Sequence, residues 1–174
     1  MDNQLLSFLK SLDNAILDKP NESELQKIKE LSSNRLPAVF LEAYSTAVPS
    51  DDIEFEDFVF YGLERMIEEN TDYIPGANLL PLGFFTFAST FDGDCICFDM
   101  NDSNYPVYQC SHSLHSGEDD ISYSKNSKFV EMIFNYENVK ATAPMLAKDF
   151  EEFISLLQSG SATTFSVTGM IARL

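Results

Sequence analysis

Phe84-Phe85-Thr86-Phe87-Ala88-Ser89-Thr90, then Phe91-Asp92-Gly93-Asp94, then Cys95-Ile96-Cys97-Phe98-Asp99-Met100: these seventeen residues decide how the chain folds. Both flanks are dense in aromatic and β-branched residues, which suit a pleated, buried surface. Between them Asp92-Gly93 is a strong hairpin signal, because glycine relieves the positive φ that a tight turn demands. The stretch predicts two antiparallel strands, residues 84–90 and 94–100. A third, residues 105–111, follows the polar turn Asn101-Asp102-Ser103-Asn104, and residues 78–82, just before Gly83, read as another. At least three consecutive strands therefore form an antiparallel meander.

Toward the N-terminus the apolar period changes from two to 3.6. Leu5, Phe8, Leu9, Leu12 and Ile16 predict an amphipathic helix over residues 3–18, broken by Lys19-Pro20-Asn21. Asn21 or Ser23 caps a second helix carrying Leu25, Ile28 and Leu31, and Pro37 opens a third with Phe40, Leu41 and Tyr44 on its buried side. Ile53, Phe55 and residues 58–60 suggest one or two strands, and Gly62 precedes a short helix over 63–69. Past the meander come a polar loop over 112–120 and a brief strand over 121–124. Residues 129–136 fit helix or strand and are read as helix; Asp149 then caps a helix with Phe150, Phe153, Ile154 and Leu157, closed by Gly160. The fold class is α+β: an antiparallel meander with helices packed on one side, N-terminal helices and a closing C-terminal helix. The expected divisions are an N-terminal helical extension over 1–35, the α+β domain over 36–160 and a tail over 161–174.

At 174 residues one domain is expected, large enough to fold without metal or disulfide. The first apolar stretch carries Lys10 and Asp13, so it is neither a secretory core nor a membrane span. Cys95, Cys97 and Cys110 are an odd number and do not form a secreted disulfide framework, so the cytosol is the expected compartment. The net charge of −17 is concentrated. Residues 36–124 hold seventeen acids and one base, Arg65, whereas residues 1–35 net −1 and residues 125–174 net zero. Such a chain is a poor ligand for DNA, RNA or an anionic membrane, which are bound through Lys and Arg. A basic protein partner is attracted and steered.

Several of these segments together resemble the SUKH superfamily, the domain of many bacterial immunity proteins and of a fungal cell-wall-assembly regulator. The likeness begins at Leu36-Pro37 opening a helix with Phe40 and Tyr44, and continues through Leu80-Pro81-Leu82-Gly83. It takes in the hairpin Gly93-Asp94, the strand end Phe98-Asp99, then Pro106-Val107-Tyr108 and His112. Asp149-Phe150-Glu151-Glu152-Phe153-Ile154 is similar to the family's closing helix, and the whole spans residues 36–157. In two places the chain departs from the pattern: Ala47-Val48-Pro49-Ser50 replaces an Asn-Gly-Gly, and there is no Trp. The resemblance implies a non-enzymatic cytosolic immunity protein that binds a cognate toxin domain, frequently a nuclease. The alternative it implies is a regulatory or scaffold module with an endogenous partner. A variable binding surface means that no contact residue carries over by motif.

The residues themselves single out two acidic groups as the partner-binding site: Asp51, Asp52, Glu54, Glu56 and Asp57, and Glu118, Asp119 and Asp120. Crowded like charges repel, so a partner's Lys and Arg side chains would relieve them; the bland alternative is a solvated surface that blunts sheet edges. Catalytic and metal readings are weaker. Cys95, Cys97, Cys110, His112 and His115 lack the paired spacing of zinc modules. Asp99-x-Asn101-x-Ser103 opens like a calcium loop but has Asn104 where glycine belongs and Cys110 where glutamate belongs. An acid–base set of Asp92, Asp94 or Asp99 with His112 needs a pocket and an orienting partner. No catalytic residue, metal or cofactor is therefore assigned, and a monomer is favoured.

Overall fold

The computed structural model describes residues 3–174. Asn3 accepts a hydrogen bond from Leu6 N (3.0 Å) and so caps α1 (Gln4–Ser11). Two residues of β1 (Leu17–Asp18) follow, then α2 (Glu22–Leu31), capped by Asn21, and α3 (Ala38–Thr46), entered through Pro37. Next come β2 (Val48–Pro49), β3 (Ile53–Phe55), β4 (Phe58–Phe60), α4 (Leu63–Thr71), α5 (Gly76–Leu79) and a 3-10 turn, Leu80–Leu82. The meander is β5 (Phe84–Thr90), β6 (Cys95–Asp99) and β7 (Val107–Cys110). A separate ribbon of β8 (Ile121–Lys125) and β9 (Lys128–Met132) leads to α6 (Tyr136–Thr142), β10 (Met145–Ala147), α7 (Phe150–Gln158) and α8 (Val167–Arg173). Six strands form one antiparallel sheet in the order β10-β7-β6-β5-β4-β3.

The α+β class and the meander stand. Helices α1, α3 and α7 cover one sheet face, as the single-sided picture required, and a second layer covers the other. On the first face Phe87 and Phe98 stack at 4.3 Å between ring centres, with Phe40 of α3 (5.2 Å) and Phe150 of α7 (4.9 Å) edge-on to Phe98. Phe8 of α1 packs on Phe60 at 5.7 Å, so the N-terminal helices share this core. On the second face Phe84, Cys95, Cys97, Tyr108 and Cys110 lie beneath Leu79, Ile121, Val139 and Ala143, from α5, the β8–β9 ribbon and α6.

Four local expectations are corrected. The first helix stops at Ser11, not near residue 18: Leu12 is extended, Ile16 is 68% exposed, and Leu17 and Asp18 pair with Pro49 and Val48. Residues 78–82 are helical, because Pro81 cannot donate to a ladder and fits a tight helical turn; Gly83 (φ 95°) ends that turn. Residues 128–132 are strand rather than helix. Asn126 and Ser127 both take positive φ (51° and 62°) and make a two-residue turn pairing Lys125 with Lys128. The tail, read without a period, contains α8, whose Ser166 cap accepts from Gly169 N at 3.1 Å.

Buried polar groups tie the layers together. Asn70 of α4 fills the place beside β5 where β4 has ended: its Oδ1 accepts from Thr86 N (3.0 Å) and its Nδ2 donates to Thr86 O (2.7 Å). Fully buried Asp99 accepts from Tyr136 Oη (2.8 Å) and Lys140 Nζ (2.9 Å), clamping α6 to β6. Buried His115 holds the loop after β7. Its Nδ1 accepts from Ser111 N (2.9 Å), leaving the proton on Nε2 to be donated to Thr142 Oγ1 (2.9 Å). Burial pushes the His115 ring down from the ordinary 6.5 to about 4, against an opposing pull from Asp94.

Replacing Phe98 by Ala should cost about 3–5 kcal/mol in urea unfolding, whereas Phe129→Ala, at 69% exposure, should stay within about 0.5 kcal/mol. The second result checks the strand assignment of residues 128–132, since a helix packed through Phe129 would make that change expensive. The two histidines can be followed separately by NMR. The His115 ring should remain neutral until the pH approaches 4. Below pH 6.5 the unfolded chain binds a proton there that the folded chain refuses, so this residue weakens folding progressively as pH falls from about 6.5 to about 4. A His115 titration near 6.5 in the folded protein contradicts the buried geometry.

A candidate interaction surface at the sheet edge

The six-stranded sheet ends at β3 on one side, and the short β1–β2 pair, α2 and the start of α4 enclose a groove of about 550 Å³ where β3 begins and β4 ends. Five carboxylates line it: Asp18 from β1, Glu24 from α2, Asp51 and Asp52 from the loop after β2, and Glu64 from the first turn of α4. Lys19 and Arg65 are the two cations on its walls.

Arg65 does little to neutralise the groove. Its Nη2 lies 2.6 Å from Glu69 Oε1, its Nη1 lies 3.8 Å from Glu68, and its guanidinium stacks 4.6 Å from the Tyr73 ring centre. The i, i+4 spacing on α4 places Glu69 under Arg65, and burial of Glu69 makes that pair the stronger claim on the cation. Asp52 sits nearby with its carboxyl pushed above the ordinary value by burial, which the Arg65 charge only partly opposes.

Asp51 and Asp52 line the groove, and the exposed Glu54, Glu56 and Asp57 continue from it along β3 and its turn to β4. Glu56 takes a φ of 51° in that turn. The other acidic group lies elsewhere. Glu118, Asp119 and Asp120 stand on the loop that joins β7 to the β8–β9 ribbon, over the second sheet face, anchored where Asn78 Nδ2 donates to Ser116 O (2.7 Å). Asp120 accepts from Phe134 N (3.0 Å), so one of its oxygens has a structural partner. Among the described residues no hydrogen bond or ion pair joins the two groups. Sequence reading missed Asp18, Glu24 and Glu64, which reach the groove only because β1 pairs with β2 and α2 packs on α4. The single local hint was the polar face of α4.

The catalytic and metal candidates separate in space. Asp99 is committed to Tyr136 and Lys140 at the far end of β6, while His112 pairs through Nδ1 with Asp94 Oδ1 at 2.8 Å. Asp92 lies exposed on the hairpin. The three cysteines are buried under the second layer. Contact with Cys97 together with burial pushes the Cys95 thiol up, and burial above all pushes up Cys97. Among the described residues no group of three or more His, Cys, Asp or Glu is placed to hold a metal ion. The groove has walls suited to ammonium and guanidinium groups, and no nucleophile paired with a base lines it.

Among the described residues no helix is long and apolar enough to cross a membrane. Comparison with curated proteins and with solved structures gives no significant match. A family model does match, that of the SMI1 / KNR4 family (SUKH-1), over residues 19–156. Its members are generally non-enzymatic immunity or regulator proteins that act through protein–protein contact. The match reaches further toward the N-terminus than the motifs of residues 36–157 and takes in α2, the meander and nearly all of α7. With most of its length so matched, on an antiparallel sheet between helical layers, the chain belongs to the SMI1 / KNR4 family (SUKH-1).

Proposed function

We propose that the protein is a cytosolic immunity protein that neutralises a cognate basic toxin domain by receiving its Lys and Arg side chains along the β3 edge. The contact set is Asp51, Asp52, Glu54, Glu56 and Asp57, extended into the groove by Asp18, Glu24 and Glu64. Glu118, Asp119 and Asp120, on the loop that joins β7 to the β8–β9 ribbon, form a second contact patch for the same partner and add to the long-range field that steers it.

The observation that carries this reading is the commitment of Arg65 to Glu69, which leaves five groove carboxylates facing a shortage of cations. Mutual repulsion makes that arrangement unfavourable for the isolated chain, and a positively charged partner relieves it. The same potential opposes phosphate backbones, consistent with a protein rather than a nucleic-acid partner. Membership in the family supports protein binding generally, and includes regulators as well as immunity proteins.

Affinity capture from the native cell, at about 50 mM and about 500 mM salt, should retain a basic protein at the lower concentration and lose most of it at the higher. Association rates with the purified captured protein should fall about 10–100-fold across that range, and again in an Asp51→Asn, Asp52→Asn variant. Rates indifferent to both salt and substitution would remove the acidic edge from the mechanism. Expressing the captured protein without this chain separates the two branches: loss of viability marks a toxin, and normal growth marks an endogenous partner of the regulator type.

A further inference from the structure

The segment beyond the family match is fastened to the fold in an unusual way. After α7, Gly160 (φ 63°) turns the chain, and the amides of Ser161 and Ala162 both donate to Leu156 O (2.9 and 3.2 Å). Residues 163–166 then cross the end of the sheet without regular structure. Thr164 Oγ1 donates to Asp57 Oδ2 (3.3 Å) at the β3–β4 turn, and Phe165 meets Gln109 of β7, three strands away from β4. Helix α8 next lies on β8, with Met170 buried beside a hollow of about 170 Å³ lined by residues 141–145.

Gln109 is the fastening. Its Oε1 accepts from Phe165 N at 2.8 Å and its Nε2 donates to Phe165 O at 2.8 Å. A side-chain amide that takes both backbone groups of one residue reads an extended main chain and ignores the side chain attached to it, as strand-addition sites do. The amide is preset from the body of the fold, because Nε2 also donates to Asp94 Oδ2 (2.8 Å) and Asp94 Oδ1 accepts from His112 N (3.0 Å). Both Gln109 and Asp94 are buried. The segment itself is lightly held: Met170 is its one buried residue, and its other side-chain hydrogen bonds to the fold are Thr164 to Asp57 and Lys125 Nζ to Ala172 O (3.4 Å), while Arg173 stacks 4.5 Å over Phe165 within the segment.

We propose that residues 163–173 form a displaceable strap, and that the seat it vacates takes the same segment, extended at Phe165 and helical beyond it, from a second copy of this chain. The seat grips one residue of the incoming backbone through Gln109 and takes an apolar side chain about five residues later, where Met170 now sits. The strap occupies in cis what the second copy's segment occupies in trans, so closure and binding of that segment exclude each other. This stands whether or not the acidic edge meets a toxin.

Hydrogen exchange on the full chain tests the strap, and a fluorescein-labelled peptide of residues 161–174 tests the seat. In the wild-type protein the α8 amides should exchange at least ~100-fold faster than those of β5–β7, because they open without the sheet. Phe165→Pro removes the amide that Gln109 Oε1 accepts while leaving the seat intact. It should speed α8 exchange at least ~10-fold with β5–β7 unchanged, and should tighten peptide binding at least ~10-fold over wild type. Gln109→Met should also release α8 yet bind no peptide, since the gripping amide is gone. Equal exchange in α8 and the sheet, an α8 indifferent to Phe165→Pro, or peptide binding that is absent or the same in wild type and Phe165→Pro overturns the proposal.

Discussion

All seven residues of β5 are buried, and so are all five of β6 and all four of β7. Side chains alternate between the faces of a sheet, so strands buried throughout oblige the chain to cover both faces. That constraint orders the rest of the molecule. Phenylalanines from α1, α3 and α7 roof one face, and α5, α6 and the β8–β9 ribbon roof the other. The sheet's two outermost strands are β3 and β10. The acidic groove lies just before the first of these strands, walled by the β1–β2 pair, α2 and the start of α4.

Covering both faces buries polar groups as well, and each described here has a partner inside the protein. Asn70 stands in for the missing strand beside Thr86, Lys140 compensates Asp99, and Gln109 and His112 compensate Asp94. Losing one member of such a set strands the other in a poorly solvated place, which is costly. These sets therefore fix where α4, α6 and the loop after β7 must sit, where apolar contact alone would tolerate sliding. Arg65 differs from them: it pairs with buried Glu69 while its own Nε is buried without a partner, and the pairing draws its charge away from the groove.

Elements governed by neighbours in sequence were legible, and those governed by distant contacts were not. The α2 and α7 boundaries follow from the Asn21 and Asp149 caps, and the β5–β6 hairpin from Asp92-Gly93. By contrast, Leu17 and Asp18 are extended because Val48 and Pro49 lie alongside, and nothing near residue 17 announces it. Residues 128–132 carry an apolar pattern that suits either period; the Asn126-Ser127 turn that decides for strand is a weaker signal than one ending in glycine. The site divides in the same manner. Asp51 and Asp52 are conspicuous as a local run of charge, whereas Asp18, Glu24 and Glu64 become neighbours only through the folding of three separate segments.

Cys95, Cys97 and Cys110 lie within the middle strands, beneath the second layer, and their thiols are shielded from water. A thiol reagent in solution has no route to them while β6 and β7 remain covered, since reaction requires an exposed thiolate. The chain thus carries its own stopwatch. The speed at which it takes up an alkylating label records how often the innermost layer comes apart, with no dye or engineered probe added.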